Sequence, residues 1–283
     1  MKRWLDTIRR TQCDMPFHKL WEQQLEEELS QQMFTVSKSS LEKFFSGCAY
    51  RAYLYRHWSL KPEFMPAPMK FGIAVHEVIE KSLEQGKPPV AITYESIPSM
   101  EVMTRAERAL NWIEKKGYRI LATEVKHIAP LTEDMQLFGI IDVIAETPEG
   151  ESVLIDWKTS SKLWNTTKLP GGELIYVGAK GWQGPIYLTP PYKSDILKEW
   201  PNKMKYVVIP EYETVEAYDY YKSADDDQAL VAAAGLMKHA RDTGNYPKNI
   251  GTYTCNSCDF KHVCWQIPGW EKYYTERRRG DEE

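Results

Sequence analysis

Apolar residues recur along this chain first at helical and then at strand spacing, and the order of the two periods predicts the architecture. Phe17 to Met33 has helical spacing among many Glu and Gln residues. Ser39-Ser40-Leu41-Glu42 reads as a capping box, with serine at the N-cap and glutamate three residues on, and opens a helix through Leu41, Phe44, Phe45, Cys48 and Tyr53. Residues 70–85 and 100–116 predict two more helices, stopped by Gly86 and Gly117. The period then shortens. Residues 119–128 and 136–146 are rich in β-formers, and Val153-Leu-Ile-Asp-Trp157 has the short apolar character of a buried strand. Pro148-Glu149-Gly150 makes a turn between the last two. No firm pattern holds over 161–181. Strands near 204–210 and 214–221 and an Ala-rich helix over 224–242 complete the order, before a charged, fraying tail, Arg277 to Glu283. The expectation is one α/β domain with helical additions at both ends.

Side-chain alternation in the third strand puts Asp156 and Lys158 on one face. A hairpin centred near Glu149 pairs residues whose numbers sum to 298, so Asp142 and Asp156 should be cross-strand neighbours. Like charges so placed destabilise the sheet unless something neutralises them. A divalent cation with oxygen ligands would do so; so would solvent exposure with Lys158 as ion-pair partner. Upstream, His76 and Glu80 are four apart on one helix face, where a lone histidine more often serves structure than a metal. Downstream, Gln183 and Tyr187 are also four apart, with Pro185 between them, which suits a first helical turn.

The 283 residues, 42% hydrophobic and 27% charged, suffice for a packed core and exclude wholesale disorder. A net charge of −4 excludes a global basic field, so any nucleic-acid contact must be a local patch. Lys198, Lys203 and Lys205, interleaved with Trp200 and Tyr206, form one candidate, and Arg51 and Arg56 another; the plain alternative for each is a solvated face. No apolar run reaches the ~18–20 residues of a membrane span, and residues 1–10 lack a signal-peptide core, so a cytoplasmic protein without a membrane partner is expected. The five cysteines are Cys13, Cys48, Cys255, Cys258 and Cys264. An odd count without a signal peptide argues against disulfides. The C-x-x-C-x5-C trio can converge on one metal centre, and Cys48 is the natural fourth thiolate. Cys13 is left as a free thiol.

In the order Gly72-x-x-x-His76, Gly139-Ile-Ile-Asp142, Asp156-Trp157-Lys158 and Gln183-x-x-x-Tyr187, the chain resembles the RecB-like branch of the PD-(D/E)XK nuclease superfamily from about Ser37 to Cys264. Cys48 and the C-terminal trio resemble the iron–sulfur clasp of that branch, found in AddB-type helicase–nucleases and CRISPR-associated exonucleases; stand-alone phage exonucleases are similar.

The resemblance implies a restriction-endonuclease-like central mixed sheet flanked by helices, with N- and C-terminal helical segments joined by a 4Fe-4S cluster on Cys48, Cys255, Cys258 and Cys264. It implies an extension over 1–36, a nuclease domain over 37–270 and a charged tail over 271–283. It further implies a Mg²⁺- or Mn²⁺-dependent deoxyribonuclease, an exonuclease on single-stranded or duplex DNA ends, leaving 5′-phosphates. His76, Asp142, Asp156 and the main-chain carbonyl of Trp157 would hold the cation. Lys158 would be the catalytic lysine, Gln183 and Tyr187 would position the DNA or the active site, and Glu124 and Glu80 would stand behind the ligands. Two positions depart from the family pattern: Ile141 replaces the proline of the superfamily's name, and Ala49 follows Cys48 where proline is usual. The setting implied is recombination, repair, replication or CRISPR adaptation, with partner proteins to match, in a prokaryote or phage. The readings that compete are a catalytically silent DNA-binding or scaffold subunit, and a zinc-stapled nuclease in which the four cysteines, or three with His262, hold zinc.

Overall fold

A tight turn at residues 147–151 sets the register of the central strands. Thr147 donates its N–H to the Glu151 carbonyl (2.8 Å), and Gly150 takes the left-handed conformation the reversal requires (φ 84°). The computed structural model describes residues 33–57, 61–62, 67–86, 99–161, 166–168, 174–176, 181–248, 255, 258, 260, 264 and 274–275. The chain forms two compact units. One comprises Met1–Met65, Leu131–Gln136 and Val231–Glu283, the other Pro66–Pro130 and Leu137–Leu230.

In the first unit, strand β1 (Phe34–Ser37) leads into helix α1 (Lys38–Glu42), a π-helical turn (Lys43–Gly47) and helix α2 (Ala49–His57). Phe34 donates its N–H to the Asp134 carbonyl (2.8 Å), and Gln136 Nε2 donates to Thr35 Oγ1 (2.8 Å). The helix cap differs from the expected one. Ser37, not Ser39, is the N-cap, and Ser40, not Glu42, closes the box: Ser37 Oγ accepts from Ser40 N–H (3.3 Å) while Ser40 Oγ accepts from Ser37 N–H (2.9 Å). The reason is that β1 delivers Ser37 extended (φ −119°, ψ 163°), the conformation an N-cap needs, whereas Ser39 is already inside the helix. The predicted continuous helix through Cys48 is also broken. Cys48 is extended (φ −153°, ψ 127°) between the π-helical turn and α2, a break that the uninterrupted apolar spacing conceals. The helix expected over 17–33 lies outside the described residues except for Met33, which is not helical, as do Cys13 and the tail from Glu276.

The second unit begins with helices α3 (Ala67–Gln85) and α4 (Ser99–Lys116). Each ends at the glycine expected, Gly86 (φ 58°) and Gly117 (φ 67°). Ala74, Val75, Val78 and Ile79 of α3, and Val102, Ala106, Ala109 and Ile113 of α4, are buried at the spacing of one helix face. Five strands follow: β2 (Arg119–Pro130), β3 (Met135–Glu146), β4 (Ser152–Thr159), β5 (Lys203–Ile209) and β6 (Glu216–Tyr221). β2 pairs with β3, and the order continues β3-β4-β5-β6. β3 and β4 are antiparallel, β4 and β5 parallel, β5 and β6 antiparallel, so the sheet is mixed. Val153 to Trp157 are all buried, as expected of a strand covered on both faces. The parallel crossover from β4 to β5 contains the one-turn helix α5 (Gln183–Tyr187). It also contains a short antiparallel pair, Thr166–Lys168 with Leu174–Tyr176, in the stretch where the sequence shows no pattern. The Ala-rich helix α6 (Ala224–Thr243) closes the order; its residues from Val231 belong to the first unit.

Candidate active site

The hairpin register is the one the numbering predicts. Val143 faces Ile155, Ile144 faces Leu154 and Ala145 faces Val153, which leaves Asp142 and Asp156 opposite each other one step beyond the ladder. There the strands are tied differently: the Trp157 N–H donates to Asp142 Oδ2 (2.8 Å). It is thus the amide of Trp157 that engages this carboxylate. Helix α3 brings His76 to the same place, with Nδ1 3.5 Å from Asp142 Oδ2. Gly72, one turn earlier, helps: a Cβ there would stand 2.9 Å from Thr159 Oγ1, so a larger residue would force that side chain or the helix to shift. Arg105 of α4 secures that strand end by donating to the Ser160 carbonyl (2.8 Å).

Asp156 is 1% exposed. Its Oδ1 accepts from Gln183 Nε2, and its Oδ2 is ion-paired with Lys158 Nζ but accepts no hydrogen bond of good geometry. Lys158 in turn donates to Gln183 Oε1 (2.8 Å). Gln183 therefore joins the two charged groups of the Asp156-Trp157-Lys158 motif. Tyr187, one turn on, donates its hydroxyl to the Ile140 carbonyl (2.5 Å), two residues before Asp142. Gly139 makes room for that ring, since a Cβ there would be 2.2 Å from Tyr187 Cε1.

The electrostatics are those of crowded carboxylates. Removal from water, then the charges of Asp156 and Glu124, push Asp142 well above the usual carboxylate range. Burial, then Glu80 and Asp156, raise Glu124 to about 8; burial, then Glu84 and Glu77, raise Glu80 to about 7. Glu124 also has positive φ (46°), which no other non-glycine residue shows among those described. Backbone held in that region costs on the order of 1–3 kcal/mol and is kept where the surroundings impose it. This donor set, one imidazole and several carboxylates with a buried oxygen lacking a hydrogen bond, fits a hard divalent cation. Among the described residues no three His, Cys, Asp or Glu side chains already converge as a closed ligand set. Asp156 is turned instead toward Lys158 and Gln183.

The four described cysteines lie in the first unit. Cys48, Cys255, Cys258 and Cys264 are half-buried and none is in a disulfide. Burial raises the Cys264 thiol, the Lys248 charge opposes this, and Cys48, Cys258 and Cys255 each raise it further, so these three lie within electrostatic range of Cys264 without converging as a closed ligand set. Cys258 N–H donates to the Cys255 carbonyl (3.2 Å) and Cys264 N–H to that of Phe260 (2.9 Å). Cys258 packs on a small core of Leu54 and Phe260 with Tyr50 and Tyr53. His262 lies outside the described residues.

Over 198–206 the candidate basic patch is broken up, with only Lys198 of its three lysines left exposed. Tyr206 is buried, so it cannot stack on a base; Lys203 pairs with Glu151 (2.6 Å) and Lys205 with Asp219. Trp200 donates its Nε1–H to the Tyr187 carbonyl (2.8 Å). Two residues near the site escaped the sequence reading. His127 is buried in β2 and reaches the Ile186 carbonyl (3.1 Å), and Trp200 was noticed only as a base-stacking candidate. A histidine alternating with apolar neighbours in a strand was the one available signal.

A mixed sheet whose central hairpin presents two aspartates and a lysine, with a histidine from a preceding helix, is consistent with a nuclease fold. The chain belongs to the PD-(D/E)XK nuclease superfamily, whose model matches residues 35–265. Among solved structures it is similar to a protein from Eubacterium rectale, described provisionally as an exonuclease, at 13% identity and a TM-score of 0.50, over 81% of this chain and 90% of that one. It is also similar to the protein SSO0001, at 17% identity and a TM-score of 0.43, over 88% of this chain and 95% of that one. At these identities the likeness concerns the fold alone. No curated protein matches the chain significantly. Among the described residues, no helix is long and apolar enough to cross a membrane.

Proposed function

We propose that the protein is a Mg²⁺- or Mn²⁺-dependent DNA exonuclease whose four-cysteine clasp holds a structural 4Fe-4S cluster. The observation that carries the nuclease reading is the joined set of Asp142, Asp156, Lys158 and Gln183 on one strand pair and one helical turn. His76, Asp142 and Asp156, with the Trp157 main-chain carbonyl, would hold the cation, which when bound supplies an activated water and a clamp on the leaving oxygen. Glu80 and Glu124 stand behind these ligands, and the repulsion among these crowded carboxylates is what a bound cation would relieve. Lys158, released from Asp156, is placed to donate to a phosphoryl oxygen as charge builds there. Gln183 holds the Lys158 ammonium at a fixed point on its Oε1. Tyr187 fixes the strand that bears Asp142.

The clasp reading is supported by the gathering of Cys48, Cys255, Cys258 and Cys264 from both ends of the chain into one unit. Hydrolysis needs no redox step, so a cluster there serves the fold. Action at DNA ends, in recombination, repair, replication or CRISPR adaptation in a prokaryotic or phage-infected cell, completes the reading.

The test is digestion of end-labelled single- and double-stranded DNA with Mg²⁺ or Mn²⁺. Release of labelled nucleotides by the wild type, and its loss in folded Asp156→Ala and Lys158→Ala proteins, is the expected result. Undiminished turnover in a clean Asp156→Ala preparation would sink the assignment.

A further inference from the structure

Helix α5 carries Gln183 and Tyr187 yet has only five residues, too few to hold its own shape, because a first helical turn is unfavourable until more bonds extend it. Its last carbonyls need donors from elsewhere. The Gly184 carbonyl accepts from Leu188 N–H (3.0 Å) and that of Pro185 from Thr189 Oγ1 (2.9 Å). The next two carbonyls are reached by aromatic rings from outside the turn. Ile186 O accepts from Thr189 N–H (3.2 Å) and also faces His127 Nε2 at 3.1 Å, and Tyr187 O faces Trp200 Nε1 at 2.8 Å. The rings stack on each other, with centroids 5.2 Å apart and planes at 18°, and the His127 ring meets Tyr187 edge-on at 6.2 Å.

The chemistry fixes the state of the histidine. A carbonyl accepts only, so Nε2 must carry the proton. Nδ1 is buried with no hydrogen-bond partner, which a bare acceptor tolerates better than an N–H would. His127 is thus a neutral Nε2–H donor with one task. Gly184 leaves no slack on the other side, since a Cβ there would stand 2.4 Å from Tyr220 Cε1.

We propose that His127 and Trp200 are positioning residues, a stacked two-ring clamp whose N–H groups hold consecutive carbonyls of α5 and so fix Gln183 on Asp156 and Lys158. The kinetic consequence rests on the nuclease reading above; the clamp itself does not.

His127→Phe and Trp200→Phe each keep a ring and remove the donor, and His127→Gln restores one. Amide hydrogen exchange reads the clamp directly. In both Phe variants exchange at Ile186, Leu188 and Thr189 should quicken about tenfold or more, as the turn opens locally, while β4 and β5 keep their protection. In the active enzyme kcat should fall about tenfold to a hundredfold with KM for DNA unchanged, the scale of a displaced catalytic geometry. His127→Gln should recover most of it, and His127→Phe should cost little more once Gln183→Ala is present. Unchanged exchange in the turn in both Phe variants overturns the clamp. So does unchanged kcat in both, or an equal loss in the Gln183→Ala background. A wild type without nuclease activity refutes the function instead, and the exchange data then judge the clamp alone. Should His127→Phe fail to fold, the half-buried Trp200→Phe decides.

Discussion

Gly139→Ala adds one methyl group at the tightest point of the site. Gly139 is a buried residue of β3 and is not among the glycines with positive φ, so alanine meets no backbone strain there. What it meets is the Tyr187 ring, with Cε1 at 2.2 Å, Cδ1 at 3.0 Å and Cζ at 3.2 Å. Ordinary contact begins near 3.4 Å, so strand and ring must separate by more than 1 Å. The ring cannot swing out. It is 6% exposed, its hydroxyl is bonded to Ile140 O, and the turn behind it is held by His127 and Trp200. Overpacking of this kind costs about 1–3 kcal/mol of stability. A shift of that size in the turn carrying Gln183 should lower kcat about a hundredfold.

Urea denaturation and single-turnover cleavage of labelled DNA measure the two effects. Removing the ring should remove the penalty, so Gly139→Ala/Tyr187→Ala should be as stable as Tyr187→Ala alone. Gly235→Ala in α6 is the control: nothing lies within 4 Å of its Cβ, and it should stabilise by about 0.5–1 kcal/mol. A Gly139→Ala protein with wild-type stability and wild-type kcat would refute the close-packing argument.

Titration calorimetry should find Mn²⁺ binding that Asp142→Asn abolishes; binding at wild-type affinity would mean that this carboxylate is no ligand. Cys48→Ala should give a colourless, aggregation-prone protein, because a site closed by residues some 200 positions apart in sequence (Cys48 to Cys264) is coupled to folding of both ends; full iron content and an unchanged Tm would exclude Cys48. Burial lowers His127 from 6.5 to about 4, so between those values the unfolded chain takes up a proton that the folded one refuses. Stability should therefore fall as pH drops through that window, by up to about 3 kcal/mol, and be indifferent to this group above it; the same acid slope in His127→Gln would contradict this.

The elements and the strand register were legible because both rest on local arithmetic. Helical spacing ended by Gly86 and Gly117 needs no distant neighbour, and a hairpin turn at residues 147–151 forces Val143 onto Ile155 and so aligns Asp142 with Asp156. Alternation along a strand then sets Lys158 on the face of Asp156. Where neighbours from far along the chain decide, the sequence was silent or misleading. Ser37 displaced Ser39 as N-cap because a strand arrives there extended, and Cys48 left the helix although the apolar period runs through it. Lys203 and Lys205, basic and interleaved with aromatics, found Glu151 and Asp219 instead of an open face. The partner of Gln183, the clearance at Gly72 and Gly139, and the convergence of His127 with Trp200 on α5 join segments separated by tens of residues. A side chain's type states what it can bond to, but which group it meets depends on how the sheet and helices pack, and that was set only by the tertiary structure.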